Sequence, residues 1–112
     1  METQIVNSDL IRGHIDLMVL RVIWDGDSYG YEISKSITAL SQGYIIKETT
    51  LYSAFARLVK LGYLSSYPGE YSGGRGRTYY SLTEHGREIY RQKCREWANT
   101  RQLVEKFILS EE

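Results

Sequence analysis

Past Gly62 the apolar period of the chain changes, and that change restricts the fold more than any other feature of its 112 residues. Before it, Leu51, Phe55, Leu58 and Val59 recur three and four residues apart, which predicts a helix over about residues 48–61. After it come Tyr63-Leu64-Ser65-Ser66-Tyr67 and Thr78-Tyr79-Tyr80-Ser81-Leu82, two short runs that suit strands. Between the runs, Gly73, Gly74 and Gly76 surround Arg75, with Arg77 beside them, so the strands are joined by a flexible tip carrying two arginines. Gly62 is placed to stop the helix in a left-handed cap. The pattern predicts a mainly α fold with a small β-hairpin.

Two more helices are expected upstream. Asn7 or Ser8 can cap the first, with Asp9 in its first turn. The dense run Leu10, Ile11, Ile15, Leu17, Met18, Val19, Leu20, Ile23 and Trp24 predicts one widely buried helix, ended by Asp25-Gly26-Asp27. Ser28 can cap a second helix over about residues 29–41, with Tyr31, Ile33, Ile37 and Leu40 inward and Gly43 closing it.

Thr83, followed by Glu84, can cap a last helix reaching about Leu109. On it Tyr90, Cys94, Trp97, Val104 and Ile108 follow a near-heptad seam interrupted by Arg101 and widened by Leu103 and Phe107. Such a helix would span roughly 39 Å, longer than a core of this size needs. Its apolar side therefore calls for a second chain, most simply a two-fold dimer, with Ile15 and Met18 of the first helix joining the seam. A monomer with the helix folded back over the domain is the alternative.

With 42% hydrophobic and 25% charged residues, the chain can bury a core without staples. Lone Cys94 allows no intrachain disulfide, no run of 18 apolar residues exists, and no basic leader precedes an apolar stretch, so a cytoplasmic protein without membrane attachment is expected. His14 and His85 have no cysteines around them, so neither a metal nor another cofactor is expected. Without paired carboxylates in an evident pocket or a placed Ser/His/Asp set, enzyme activity is not expected either. The net charge is zero but unevenly spread: residues 43–82 carry Lys47, Arg57, Lys60, Arg75 and Arg77 against Glu48 and Glu70, net +3. Attraction to phosphate depends on local positive density, so a neutral total leaves nucleic acid open.

Helix, helix, helix, strand, basic hairpin, strand, long helix is the order of a winged helix-turn-helix with an appended helix. Residues 1–82 are read as that DNA-binding domain and residues 83–112 as a dimerisation helix. On the third helix Lys47, Thr49, Thr50, Tyr52, Ser53, Arg57 and Lys60 are candidate DNA contacts, and Arg75 and Arg77 extend the set into the wing. The glycine-rich tip lacks the spacing and terminal Lys-Ser/Thr of a nucleotide P-loop. The competing reading is a protein-interaction module that uses the same scaffold without recognising an operator.

Gly30-Tyr31-Glu32-Ile33, Leu51-Tyr52, Leu58-Val59-Lys60-Leu61-Gly62-Tyr63-Leu64 and Arg77-Thr78-Tyr79-Tyr80-Ser81-Leu82-Thr83-Glu84-His85-Gly86 resemble the PadR-like transcriptional regulators in order and spacing. The resemblance implies a homodimeric repressor joined through its terminal helix and bound to an inverted-repeat operator on double-stranded DNA. It implies that Tyr52 contacts phosphate and that Tyr31 and Leu58 are packing positions. Lys47-Glu48-Thr49 stands where the family often has Ser-Glu-Gly, and Ser53 replaces a common proline. The chain is similar to the compact, ligand-responsive class, in which a tryptophan on the last helix flanks a small planar hydrophobic effector between subunits. Trp97 is the corresponding residue, and binding of the effector is expected to relieve repression.

Overall fold

The computed structural model describes residues 6–69 and 76–110. Its elements are α1 (Ser8–Arg12), α2 (Ile15–Val22), β1 (Ser28–Tyr29), α3 (Gly30–Leu40), α4 (Glu48–Lys60), β2 (Leu64–Pro68), β3 (Thr78–Leu82) and α5 (Glu84–Glu105). The strands pair antiparallel in the order β1-β3-β2. This is the mainly helical fold with a β-hairpin wing that the change of period predicts, with one strand more.

The opening helix is two helices. Asn7 caps α1 by accepting from the Asp9 amide at 2.8 Å, as expected. At Gly13, however, the hydrogen-bond ladder tightens: the His14 amide donates to the Ile11 carbonyl at 2.7 Å, three residues back. Glycine holds this turn poorly as helix, so the axis bends there before α2 resumes. The apolar residues on both sides hide the break from a periodicity reading.

Ser28 does not cap α3. It lies in β1 opposite Tyr80, and its buried hydroxyl donates to the Glu32 carboxylate one turn along. Two residues are too few to show a strand period, and this is why β1 escapes the sequence. Tyr31 and Leu40, expected to face inward, are 65% and 66% exposed. Ile33 and Ile37, one turn apart, supply the buried stripe of α3 instead.

The core lies between α2, α3, α4 and the sheet. Val19, Leu20, Ile23, Ile33, Leu51, Phe55, Leu58 and Leu64 are each at most 2% exposed. Burial of each such side chain favours the fold by about 1.5–3 kcal/mol. The Phe55 ring meets that of Tyr80 at 4.8 Å between centroids, so the back of α4 is seated on the wing. Gly62 has φ 83°, and the Gly62 and Tyr63 amides return to the Val59 and Leu58 carbonyls at 3.0 and 2.9 Å. These paired bonds stop α4 in the expected left-handed cap and turn the chain into β2.

Thr83 caps α5, accepting from the Gly86 amide at 2.9 Å. The first turns lie on the core through Ile89 and Tyr90, whose ring meets Trp24 at 5.1 Å. Farther along, α5 still meets the start of α2, where Trp97 packs on His14, and from Arg101 onward it is exposed; the molecule measures 58 by 35 by 22 Å. The helix stops at Glu105, four residues short of the expected end. Ile108 therefore lies past the helix rather than on its seam, 67% exposed beside Phe107 at 81%.

Candidate nucleic-acid interface

The buried residues Leu51, Ala54, Phe55 and Leu58 fix which side of α4 faces out. Opposite them Thr49, Ser53, Ala56 and Lys60 form an exposed row, with Tyr52 on its flank, 44% exposed. Lys47 is exposed just ahead of the helix and has no capping bond from its side chain, whereas Thr50 is half-buried at the edge. Ala56 carries no contact chemistry of its own, so nothing in the sequence pattern marks it. At the middle of a polar row it keeps the surface low, which lets a helix approach base edges closely.

Arg57 is turned aside from this row. Its guanidinium reaches Asp16 on α2 through two bonds, at 2.5 and 3.3 Å. That hydrogen bond raises the guanidinium's already high pKa and keeps it charged. Arg57 thus braces α4 against α2, an engagement between residues 41 apart that no local pattern shows.

Tyr52 lies across Gly30 at the start of α3. A Cβ at Gly30 would fall inside contact distance of the phenol, 2.6 Å from its Cζ, so the absence of a side chain makes room for the ring. Tyr52, Gly30, Tyr29 and Tyr80 line a groove of about 710 Å³ whose other wall is the wing root, with Arg77 and Thr78. The Arg77 guanidinium sits over the Tyr29 ring, 4.2 Å from its centroid, a cation–π contact that holds the charge at the groove's edge. Arg75 lies outside the described residues. The Tyr67 hydroxyl donates to Asp27 at 2.6 Å, tying the wing to the turn after α2 and pushing the Tyr67 pKa up.

The effector and seam candidates lie on α5 and along the start of α2. Trp97, 45% exposed, meets the edge of His14 at 5.0 Å. His14, Leu17, Lys93, Glu96, Trp97 and Thr100 border a shallow cavity of about 150 Å³. Ile15 is 6% exposed and belongs to the chain's own core, and Met18 packs against that core half-buried. Tyr90 and Cys94 are half-buried on α5, whereas Arg101 and Val104 are exposed. Burial leads in pushing the Tyr90 pKa up, and the neighbouring Cys94 adds to it. Among the described residues, no group of three His, Cys, Asp or Glu side chains could hold a metal ion, and no helix is long and apolar enough to cross a membrane.

The sequence model of the transcriptional regulator PadR-like family matches residues 19–92. An uncharacterized protein X of Lysinibacillus sphaericus is 40% identical over 104 residues, covering 92% of this chain and 95% of that one. A transcriptional regulator from Clostridium thermocellum superposes with a TM-score of 0.85 at 51% identity, over 94% of this chain and 100% of its own. A PadR family transcription regulator from hypervirulent Clostridium difficile does so with a TM-score of 0.71 at 31% identity, over 85% and 98%.

Proposed function

The chain belongs to the PadR-like family of transcriptional regulators, and we propose that it acts as a homodimeric repressor at an inverted-repeat operator, released by a small hydrophobic or aromatic effector. Membership makes it a DNA-binding regulator of transcription rather than an enzyme. The observation that carries the reading is the shared groove: Tyr52 of α4 and Arg77 of the wing border one concavity beside the exposed row Thr49, Ser53, Ala56 and Lys60. With its back buried, α4 can enter a major groove on that row, while Lys47 and the wing arginines take phosphates on either side. Arg57 joins the DNA contacts by exchanging Asp16 for phosphate, and Thr50 supports the row from its edge.

A second copy covers what one chain leaves open. Trp97, Leu103 and Val104 expose an apolar surface along α5, and Phe107 and Ile108 continue it past the helix end. Pairing about a two-fold axis buries this surface and matches the symmetry of an inverted repeat. Tyr90, Cys94 and Arg101 flank the seam, and Ile15 and Met18 support it from beneath. The cavity at Trp97 is about half the roughly 300 Å³ at which small-molecule sites begin, so two copies complete the effector site. A planar ring then stacks between the tryptophans.

The effector releases DNA only by binding the DNA-incompetent arrangement more tightly. A route for this exists in α2: His14 and Leu17 border the effector cavity, and Asp16 beside them holds Arg57 of α4. We place the protein in the cytoplasm, with its DNA.

The test is the salt dependence of duplex binding, read by fluorescence anisotropy, with oligomeric state followed by sedimentation. Affinity should fall steeply with salt. The double change Arg75→Ala and Arg77→Ala should lower the log–log slope by about two while the dimer persists. A protein that binds no duplex at low salt but retains a protein partner is an interaction module, and the repressor reading fails.

A further inference from the structure

The floor of the groove between α3, α4 and the wing holds a polar group that the contacts described so far leave without work. Tyr80 is 9% exposed and packs its ring on Phe55, yet among the described residues nothing hydrogen-bonds its hydroxyl. No buried polar side-chain atom among those residues lacks a partner, so what remains accessible of that hydroxyl opens into the groove it lines. In the free protein that hydroxyl keeps its contact with water, and an acceptor arriving in the groove takes the water's place.

Three further donors converge on the same place. The Tyr52 hydroxyl lies over Gly30, at the first residue of α3. That helix has 11 residues and no side-chain cap at its N-terminus, and its first residue lines the groove, so the positive end of its dipole lies beside it. Arg77 stands on the opposite wall, held there by Tyr29. The carboxylate in the first turn of α3, Glu32, is engaged by Ser28 and borders the neighbouring cleft instead. Burial leads, with the neighbouring Tyr52 second, in pushing the Tyr80 pKa up, so its hydroxyl stays protonated and remains a donor.

A site with two phenolic donors, the positive end of a helix and a guanidinium takes a tetrahedral oxyanion and discriminates against cations and apolar groups. We propose that this groove seats one backbone phosphate of duplex DNA, with the Tyr80 hydroxyl as the donor in its floor. The inference rests on the DNA-binding reading above and adds to it a contact point and a residue, Tyr80, that a sequence reading assigns to the sheet. The seat fixes where the duplex backbone crosses between the recognition helix and the wing. Because the contact is to phosphate, it sets register and affinity without selecting sequence.

The test is Tyr80→Phe, which removes one oxygen and keeps the ring on Phe55. Anisotropy is measured on the protein's own upstream duplex and on a shuffled duplex of equal length, with thermal unfolding as the check on folding. The substitution should weaken both duplexes by the same factor, roughly fivefold, with the unfolding midpoint unchanged. A walk of single neutral methylphosphonates along the duplex should find one phosphate whose loss weakens the wild type but not Tyr80→Phe. Millimolar inorganic phosphate at constant ionic strength should leave binding unchanged.

Wild-type affinity in Tyr80→Phe overturns the seat while leaving DNA binding intact, and so does a loss confined to the upstream duplex, which marks base reading. Displacement of the duplex by free phosphate overturns it too, in favour of a site for a soluble anion. A wild-type protein that binds neither duplex overturns the DNA reading and the seat together.

Discussion

An alanine at Gly86 should loosen the terminal helix from the wing root, and the size of the effect follows from what surrounds it. A Cβ there would be driven into the Tyr63 carbonyl oxygen and would stand 2.7 Å from Cδ1 of Leu82. Leucine can rotate away. The carbonyl cannot, because it accepts from the Thr83 amide at 3.2 Å and the Thr83 hydroxyl at 3.0 Å. In an open helix, glycine to alanine gains about 1 kcal/mol. Here overpacking against fixed backbone costs about 2–3 kcal/mol, leaving a net loss of about 1–2 kcal/mol. For a chain of this length that lowers Tm by roughly 5–10 °C.

The comparison is Gly26→Ala, where nothing lies within 4 Å of the added Cβ and stability should rise by about 0.5 kcal/mol. Urea unfolding followed by circular dichroism, at one fixed protein concentration because a dimer's stability depends on it, measures both. A Gly86→Ala protein as stable as the wild type would refute the packing of α5 against Tyr63 described above.

Thr83→Ala removes the cap of α5 and the hydroxyl's bond to the loop after α4, so urea unfolding should show a loss of about 1–2 kcal/mol, and a change under a few tenths would count against the cap. Asp16→Asn releases Arg57 from a pair that is half exposed, so stability should fall by less than about 1 kcal/mol. The freed guanidinium should steepen the salt dependence of DNA binding by about one ion, and an unchanged slope would show that Arg57 takes no phosphate. Tyr80 binds its proton more tightly folded than unfolded. Its contribution is therefore complete below the ordinary pKa of 10.0 and is lost as pH rises past it. Urea midpoints should fall above about pH 10, less steeply in Tyr80→Phe, and equal pH profiles for the two proteins would contradict the assignment.

The sequence revealed the parts of this fold that local chemistry determines. Gly62 and Thr83 announced their caps, and the strands Leu64–Pro68 and Thr78–Leu82 came within a residue of expectation, because each carries its own turn, cap or period. The buried side of α4 followed from the spacing of Leu51, Phe55 and Leu58, whereas of the exposed row only Thr49, Ser53 and Lys60 did, Ala56 having no contact chemistry to mark it. What stayed hidden depends on partners distant in sequence. β1 exists because Ser28 and Tyr29 meet Tyr80 and Tyr79, and Arg57 is diverted because Asp16 waits on another helix. Tyr31 read as core from its apolar character, yet it sits two residues from Ile33, on the opposite side of α3. Tyr80 read as a strand residue, and only the assembled groove gives its hydroxyl a direction.

The central claim is that the α4 row and the wing recognise a particular DNA sequence. A mobility shift of the purified protein on the duplex upstream of its own coding sequence, against a shuffled duplex of equal length and across a range of salt, tests it most directly. A retarded complex with the upstream duplex should survive salt concentrations at which the shuffled duplex is free. Equal retention of both at every salt concentration, or retention of neither, would contradict recognition of that sequence.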